Sequence, residues 1–513
     1  MLNTNMLLQL TAYFYPLYFL GLLLFFISVF FKSYRTFRGL LINISSKDIV
    51  VLLVLLLAGF IFRLKYTAHI DLDPYGWGYI KDALRIKSYF LYPGLYSGLL
   101  GTGHIPGYPF FIFFPLTLLE NISVVSGFNI CFSVLTIPVI YLITYLVTED
   151  KDASFLAALA LALSALHTFY SGYEIPMSIS VFFVTLEFLY FVAWLKTRNM
   201  TIWLTFISLF LISVNIKIEN SFLFPLFAII GAKELLKDNQ RKLFHYSLIF
   251  IPLLLISMLF WLPFVGNMVS SFPRYFAFIP DLVGFRAFLS NILLFFIYRL
   301  KGYPLFMLLA LVILKLMKKS FRMDYLILGW FFLSLLVYFL GVEVDAIWHT
   351  MQILVPVFII SAYVISQAIS IFFKGRAVRY ILLVLLCFFY FLGYERQMSE
   401  NKPYSWEKLI QELKTDSEKS CIITHDFLIT KFNLPFLFPR KTWLFLSDDN
   451  LKVKMRACEG KVYYFNPLPY GLEEEMLMRG AKEEQFAVLK NEIQNKYNLI
   501  KISDSEFFEL EKK

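Results

Sequence analysis

The chain has 513 residues, of which 59% are apolar and only 16% are charged, and its net charge is +10. Soluble domains carry about 25% charged residues, so this composition excludes a disordered chain, a fibrous repeat and a soluble enzyme of ordinary composition. The surplus of Lys and Arg does not indicate nucleic-acid binding, because such residues gather in the cytoplasmic loops of membrane proteins. The composition therefore predicts a polytopic α-helical membrane protein.

Apolar stretches long enough to span a bilayer recur along most of the chain. A span needs about 20 apolar residues, and the first candidate, residues 10–31, contains no charge. It lacks the basic flank and the small-residue cleavage site of a signal peptide, so we expect it to be a transmembrane helix. The further predicted spans are residues 50–62, 125–148, 153–170, 178–195, 202–216, 221–236, 245–265, 303–317, 324–341, 351–373 and 378–394.

Basic residues fall in alternate loops between these predicted spans. The basic clusters lie at residues 32–47, 196–198, 237–242, 315–322 and 374–379. With about 12 crossings all of them are cytoplasmic, as the positive-inside rule requires, and both termini are extracytoplasmic. Two short apolar stretches, 108–122 and 287–299, must then be interfacial or re-entrant. The Lys-, Ile- and Phe-rich, low-Ala composition is typical of an AT-rich microbial genome, so we expect the plasma membrane of a prokaryote; in a eukaryotic source the extracytoplasmic side would be a lumenal face.

The chain divides into three predicted regions. They are an extra N-terminal transmembrane helix with its cytoplasmic loop (1–47), a transmembrane domain with an external loop 65–107 (48–395), and a small soluble α/β extracytoplasmic domain (396–513). In the last region, strands are predicted at 421–425, 442–446, 461–465 and 499–502, and helices at 405–413 and 483–496. Cys421 and Cys458 either form a disulfide or stay free, because spacing alone does not decide pairing.

The external loop begins with two carboxylates at the membrane surface. Asp71 and Asp73 follow a predicted span by a few residues. A carboxylate in this position can accept a proton from a hydroxyl group or, with its neighbour, hold a divalent cation. The alternative is that both are solvated loop charges. Residues 79–89, which follow, are predicted to form a surface helix in the headgroup plane.

Three other turns on the same predicted face carry ionisable residues. They are residues 167–176, 215–220 and 343–349. Ionisable residues at the ends of spans are costly unless they are paired or functional. Lys217 and Glu219 therefore either pair with each other or serve a site, and His349 is either an ordinary interfacial residue or a ligand-binding one.

The order of these features resembles a known family, the C-type (GT-C) glycosyltransferases that use polyprenyl-phosphate sugars. Protein O-mannosyltransferases and lipid A aminoarabinose transferases belong to it. The similar segments are Asp73–Ala83, His104–Tyr108, Ala153–Pro176, and Lys217–Glu219 before Pro225. They are similar to the family's acidic first-loop motif, its His-Pro-Pro-Leu-Tyr segment, its Ala/Leu-rich span and its Lys-bearing turn. The chain departs from the family at Asp73, which Pro follows in place of the usual Asp-Glu pair.

The resemblance implies inverting transfer of a sugar from a polyprenyl-phosphate donor to a lipid, glycan or protein acceptor. Asp73, with Asp71 second, is the expected base. Cations are expected to stabilise the leaving phosphate as its charge grows: Lys217, His349 and Arg274. The expected substrate-binding residues are His104, Tyr79, Glu174 and Glu219. No cofactor is expected, although a divalent cation held by Asp71 and Asp73 stays open.

Two other classes of protein stay open. A transporter or flippase of lipid-linked sugar would need discontinuous helices at the bilayer midplane and internal repeats, and no convincing repeat is found. A non-catalytic membrane assembly protein would bind a partner through its external domain. This last alternative predicts that alanine at Asp73 has no effect.

Overall fold

The computed structural model describes helices in the first part of the chain and strands in the last part. The chain divides into two compact units, of which the first contains the helices and the second the strands. The described residues are 4–66, 79–80, 82–83, 86, 107–119, 123–173, 175–235, 251–258, 324–341, 351–372, 421–424, 442–445, 462–465, 497–501 and 507–512.

The helices follow the predicted spans along the chain. They are α1 (Thr4–Leu40), α2 (Ser46–Tyr66), α3 (Gly107–Leu119), α4 (Ser123–Thr148), α5 (Lys151–Ala162), α6 (Ala165–Phe169), α7 (Met177–Thr197), α8 (Met200–Ile216), α9 (Phe224–Leu235), α10 (Asp324–Gly341) and α11 (Met351–Phe372). Short 3-10 segments cover Tyr170–Gly172 and Ile218–Leu223, and residues 251–258 are also helical.

Several of these helices are long and apolar enough to cross a membrane. In the described part of the chain there are four: Phe14–Leu40, Val124–Thr148, Met177–Thr197 and Met351–Ile371. A bent pair, Lys151–Ala162 with Leu166–Gly172, makes a fifth if it is one span. These helices agree with the predicted α-helical membrane protein. The predicted spans 245–265, 303–317 and 378–394 lie wholly or largely outside the described residues, so the total number of crossings stays a prediction.

Helix α1 is longer than the predicted span. The sequence predicted a span over residues 10–31 followed by a cytoplasmic loop, whereas the helix continues to Leu40. Ser33 and Phe37 are buried in this extension, and the Phe37 ring stacks on Tyr190 of α7 at 5.2 Å. The first part of the predicted loop is therefore helical, because its apolar face packs on the helices.

The predicted span 153–170 is broken. Helix α5 ends at Ala162, and the two parts of the span are bent by 51°. Ser164 begins the next helix by accepting a hydrogen bond from the His167 backbone N–H at 3.3 Å. The carbonyl of Leu161 at the break accepts a hydrogen bond from the Ser164 backbone N–H at 3.3 Å, and carbonyl groups at a helix end in apolar surroundings need such donors.

Arg63 supplies further donors at the break. Its guanidinium is fully buried and donates to the carbonyls of Leu161 and Ala162, at 3.3 Å each. It also donates from Nε to the Ser133 hydroxyl at 2.7 Å and from Nη2 to His167 Nδ1 at 2.8 Å. One side chain of α2 therefore joins α4, α5 and α6. Because Nδ1 of His167 accepts this bond, the proton of the neutral imidazole lies on Nε2.

Aromatic side chains fill the centre of the helical unit. Helix α7 packs against α4 and α8, and α8 packs against α1. Phe188 of α7 stacks on Trp330 of α10 with ring centroids 3.9 Å apart. Trp194 and Trp203 lie 4.3 Å apart across the α7–α8 contact. Burial of such large rings supplies much of the packing energy between helices.

Two very short connections turn the chain at one end of the bundle. Glu149 connects α4 to α5 with φ 58°, and Arg198 connects α7 to α8 with φ 55°. Both residues also form ion pairs there. Lys196 contacts Glu149 at 2.8 Å, and Arg198 pairs with Glu234 of α9. We call this end, where α4 and α7 finish, the paired end.

Helix α3 is too short to cross a bilayer. Its 13 residues span about 20 Å, against about 30 Å of hydrocarbon. Its length agrees with the prediction that residues 108–122 do not cross. The first turn is buried inside the protein at Gly107 and Tyr108. The other predicted non-crossing stretch, 287–299, lies outside the described residues.

The strands of the second unit form one mixed five-stranded sheet. They are β1 (Cys421–Thr424), β2 (Thr442–Phe445), β3 (Val462–Phe465), β4 (Tyr497–Lys501) and β5 (Phe507–Lys512). The order is β2-β1-β3-β5-β4, with β1 parallel to β2 and β3, and β5 antiparallel to β3 and β4. The four predicted strands are confirmed, and β5 was not predicted. The predicted helices 405–413 and 483–496 lie outside the described residues.

Two of the four cysteines lie in the described residues. Cys421 at the start of β1 is disulfide-bonded, whereas Cys131 in α4 is a free thiol. Cys458 lies outside the described residues. The pairing of Cys421 with Cys458 therefore stays a prediction.

Replacement of Arg63 tests its role in the broken span. We expect Arg63→Met to lower the free energy of unfolding by about 3–5 kcal/mol, because buried carbonyls and His167 lose their donor. Denaturant titration of the purified protein in detergent measures this change. The exposed Arg35 of α1 gives the control, since Arg35→Met is expected to change stability by no more than about 0.5 kcal/mol. Equal stability of the two variants would contradict the role.

Asp48 joins the start of α2 to the start of α5. Its Oδ2 accepts hydrogen bonds from the Ser45 backbone N–H and from Lys151 Nζ, both at 2.7 Å. Burial acts to raise the pKa of Asp48, but the bonds from Lys151 and Ser45 outweigh it and hold the pKa below its ordinary value of 3.8. A carboxyl with a lowered pKa stabilises the fold above its unfolded pKa and loses this contribution as the pH falls through its folded pKa.

We therefore expect Asp48→Asn to destabilise the protein in a pH-dependent way. At neutral pH the loss is about 0.5–1 kcal/mol, as for other partly exposed ion pairs. The difference from wild type shrinks as the pH falls below 3.8. Unfolding titrations at neutral and acidic pH measure it, with Glu149→Gln as control, because the Glu149 side chain is 67% exposed. A loss that is the same at both pH values would refute this account.

Candidate functional site

The external loop returns to the helices at Gly107. A Cβ atom at this position would lie 1.9 Å from the carbonyl oxygen of Asn215 and 3.0 Å from the backbone nitrogen of Ile216. Only glycine fits so close to another backbone. Asn215 and Ile216 directly precede Lys217, so the end of the loop, three residues after His104, abuts the turn that carries Lys217.

Lys217 is a buried cation beside a carboxylate. Its side chain is only 7% exposed, and Nζ lies 3.6 Å from Oε1 of Glu219, which is 21% exposed. Nζ also contacts the Met177 sulfur at 3.0 Å. Burial lowers the pKa of the Lys217 ammonium, and the charge and hydrogen bond of Glu219 oppose that shift. The pairing of Lys217 with Glu219, which the sequence left open as the alternative to a role in a site, is present in the structure.

A network of amide groups holds this turn in place. Asn220 donates from Nδ2 to the Ser213 carbonyl and to the Ser180 hydroxyl, at 2.9 Å each. Its Oδ1 accepts from Gln352 Nε2 of α11 at 2.7 Å. The turn after α8 is therefore joined to α7 and α11. Gln352 follows His349 by three residues in the sequence, and His349 itself lies outside the described residues.

Asn129 of α4 forms a second cluster next to the first. Its Nδ2 donates to the Tyr108 hydroxyl at 2.9 Å and contacts the carbonyls of Tyr173 and Ile175. Tyr173 and Ile175 flank Glu174. The ring of Tyr79 packs edge-to-face on Tyr108, with centroids 5.1 Å apart. Asn129 therefore brings Tyr79 and the turn that carries Glu174 to the first residues of α3.

The segment after Tyr79 is helical at its described residues, as predicted. Its apolar face, however, is buried in protein rather than exposed to headgroups: Ile80, Ala83 and Ile86 are each at most 2% exposed. Asp82 in the same segment is 3% exposed. This segment therefore packs against other parts of the protein. Its alanine and isoleucine side chains can be buried against protein as readily as against lipid.

Three of the predicted site residues lie in the described part of the chain, and all three belong to these two clusters. They are Tyr79, Lys217 and Glu219. The others lie outside the described residues, and their roles stay predictions: Asp71, Asp73, His104, Glu174, Arg274 and His349. Among the described residues no group of three His, Cys, Asp or Glu could hold a metal ion. Whether Asp71 and Asp73 bind a divalent cation stays open.

Comparison with family models and with curated proteins adds no relative. No family model matches the chain. No curated protein matches it either. The resemblance to C-type glycosyltransferases therefore depends on the order of motifs in this sequence, and the function argued from it is a proposal.

Sequence analysis missed several polar residues inside the spans. Asn129 and Gln352 organise the two clusters, and Glu187 is fully buried midway along α7. Each is a polar side chain in an otherwise apolar helix, which is the signal that could have identified them. The partners of Asn129 and Gln352 could not be predicted, because these partners lie far away in the sequence.

The need for glycine at position 107 can be tested by substitution. We expect Gly107→Ala to lower the free energy of unfolding by about 2–3 kcal/mol, because backbone atoms of Asn215 must move. Gly127→Ala in α4 is the matched control. A Cβ there meets nothing within 4 Å, so alanine is expected to stabilise the helix by up to about 1 kcal/mol. Unfolding titrations measure both changes. If the two variants changed the free energy of unfolding in the same direction, the close contact of Gly107 with Asn215 would be contradicted.

Proposed function

We propose that this protein is a membrane glycosyltransferase of the C type. It transfers a sugar from a polyprenyl-phosphate donor to an acceptor with inversion. One observation supports this proposal above the others: segments from the external loop 65–107 and from two other predicted external turns meet in the structure. Tyr79, Gly107 with Tyr108, the 173–177 turn and Lys217 with Glu219 lie in one contiguous region.

The chemistry of this region suits a lipid-linked donor. The tail of such a donor stays in the bilayer while its phosphate lies at the end of the helices. The acceptor hydroxyl oxygen bonds to the anomeric carbon, and the bond from that carbon to the phosphate oxygen breaks. Its electron pair stays on the phosphate, and Asp73 takes the hydroxyl proton. Lys217 stabilises the charge that grows on the phosphate, and Glu219 orients Lys217.

The rest of the proposed architecture follows from the predicted topology. Lys217 lies where α8 ends and α7 begins, at the opposite end of these helices from Lys196 and the paired end. In the proposal the Lys217 end faces the extracytoplasmic side, and both termini lie there too. The five-stranded sheet then belongs to a small extracytoplasmic α/β domain that selects the acceptor. The proposed location is the plasma membrane of a prokaryote, with about 12 crossings.

Transfer of radiolabelled sugar from polyprenyl-phosphate donors in purified membranes tests the proposal. We expect wild type to label an acceptor, and Asp73→Asn to lower kcat by about 100-fold or more because the base is lost. We expect Lys217→Gln to lower kcat by about 100-fold through loss of a stabilising charge. Lys196→Gln is the matched control, because Lys196 is an ion-paired cation at the paired end. Its activity should equal that of wild type.

Other outcomes assign other functions. If Asp73→Asn has full activity, the protein is still a transferase, but Asp71 or Glu174 is the base. If no acceptor is labelled and the donor instead appears on the other side of the bilayer, the protein is a transporter of lipid-linked sugar and not a transferase. No labelling and no donor movement, with a partner bound through the second unit, indicates an assembly protein.

A further inference from the structure

The basic residues near the paired end divide into two groups. One group is matched by carboxylates of the chain: Lys151 with Asp48, Lys196 with Glu149 and Arg198 with Glu234. The other group has no ion pair among the described residues. It comprises Lys32, Arg35 and Arg38 of α1, Lys47 after it and Lys233 of α9, and all five are exposed.

The three cations of α1 form a continuous feature, which we call the basic stripe. Lys32, Arg35 and Arg38 follow one another at intervals of three residues, so they lie along one side of the helix. The opposite side is fixed to the protein. Phe37 stacks on Tyr190, and the Thr36 hydroxyl accepts a hydrogen bond from Asn199 Nδ2 at 3.4 Å. The helix therefore cannot turn the basic stripe towards the bundle.

The basic stripe lies beside an apolar surface. Phe31 is 72% exposed and Tyr34 is 55% exposed, and both residues alternate with the cations. The apolar stretch of α1 ends at Phe31, and exposed aromatic rings are typical of the membrane–water interface. A partner for this surface must therefore combine negative charge with an adjoining apolar part.

We propose that the basic stripe binds anionic phospholipid headgroups in the leaflet that the paired end faces. An anionic phospholipid offers a phosphate to the three cations and acyl carbons to Phe31 and Tyr34. Free phosphate matches only the first of these features. Clustered cations next to a transmembrane helix bind anionic lipids with about fivefold gain in affinity per cation near the surface. Three cations therefore predict a preference on the order of 100-fold. The proposal does not depend on transferase activity.

Lipid titration of the purified full-length protein in detergent tests this site. Short-chain phosphatidylglycerol and short-chain phosphatidylcholine are the probes, and native mass spectrometry counts the bound lipid. We expect wild type to prefer phosphatidylglycerol on the order of 100-fold at low salt, and added NaCl to reduce this preference by screening. Inorganic phosphate at the same concentration should not displace the lipid. Displacement by phosphate would overturn the assignment to a lipid.

Matched variants distinguish lipid binding by the basic stripe from binding that depends only on the overall positive charge of the protein. The triple variant Lys32→Gln/Arg35→Gln/Arg38→Gln should bind both lipids equally, whereas Arg35→Lys/Arg38→Lys should keep most of the preference. Lys196→Gln removes a paired cation and should leave the preference unchanged. If the triple variant does not fold, the single variant Arg35→Gln should still lose about fivefold. A preference that survives in the neutral variants, or is missing in wild type, overturns the proposal.

Discussion

The helical unit depends on one buried guanidinium. A backbone break inside an apolar bundle leaves carbonyl groups that water cannot reach, and each needs a donor. Arg63 reaches two such carbonyls at the end of α5 and holds the imidazole of His167 beyond the break. A lysine has one nitrogen and could not serve so many acceptors in different directions. The break in turn directs the chain into the 170–175 turn, against which Asn129 and the start of α3 pack.

Sequence patterns were sufficient for the long apolar helices, but they missed strand β5 and several helix ends. Apolar length predicted the positions of α4, α7 and α11, because a helix in lipid must be about 20 apolar residues long. The same rule set the end of α1 at Phe31, yet the helix continues because Phe37 finds an aromatic partner on α7. The break at Ser164 was also missed, since its stabilising donor lies about 100 residues earlier in the chain.

In the candidate site, too, some features could be predicted from the sequence and others could not. Lys217 and Glu219 were identified from their position at the end of a predicted span, and they do pair. Asn129 was missed because a single amide in an apolar helix gives no sign of which carbonyls it will meet. The close contact of Gly107 with the Asn215–Ile216 peptide could not be predicted either, because it joins segments that the sequence separates widely. Residue type thus predicts candidates, whereas long-range packing decides which of them meet.

The two-residue connections of the paired end restrict how this protein can move. Helix α4 ends at Thr148 and α5 begins at Lys151, and α7 ends at Thr197 and α8 begins at Met200. Each connection is held by a residue in the left-handed region and by an ion pair, so neither offers a hinge. Helices α4 and α5, and likewise α7 and α8, are therefore held close together at the paired end. Any separation of α7 from α8 must occur towards their other end, where Lys217 lies and where side-chain hydrogen bonds such as that from Asn220 to Ser180 join α7 to the turn after α8.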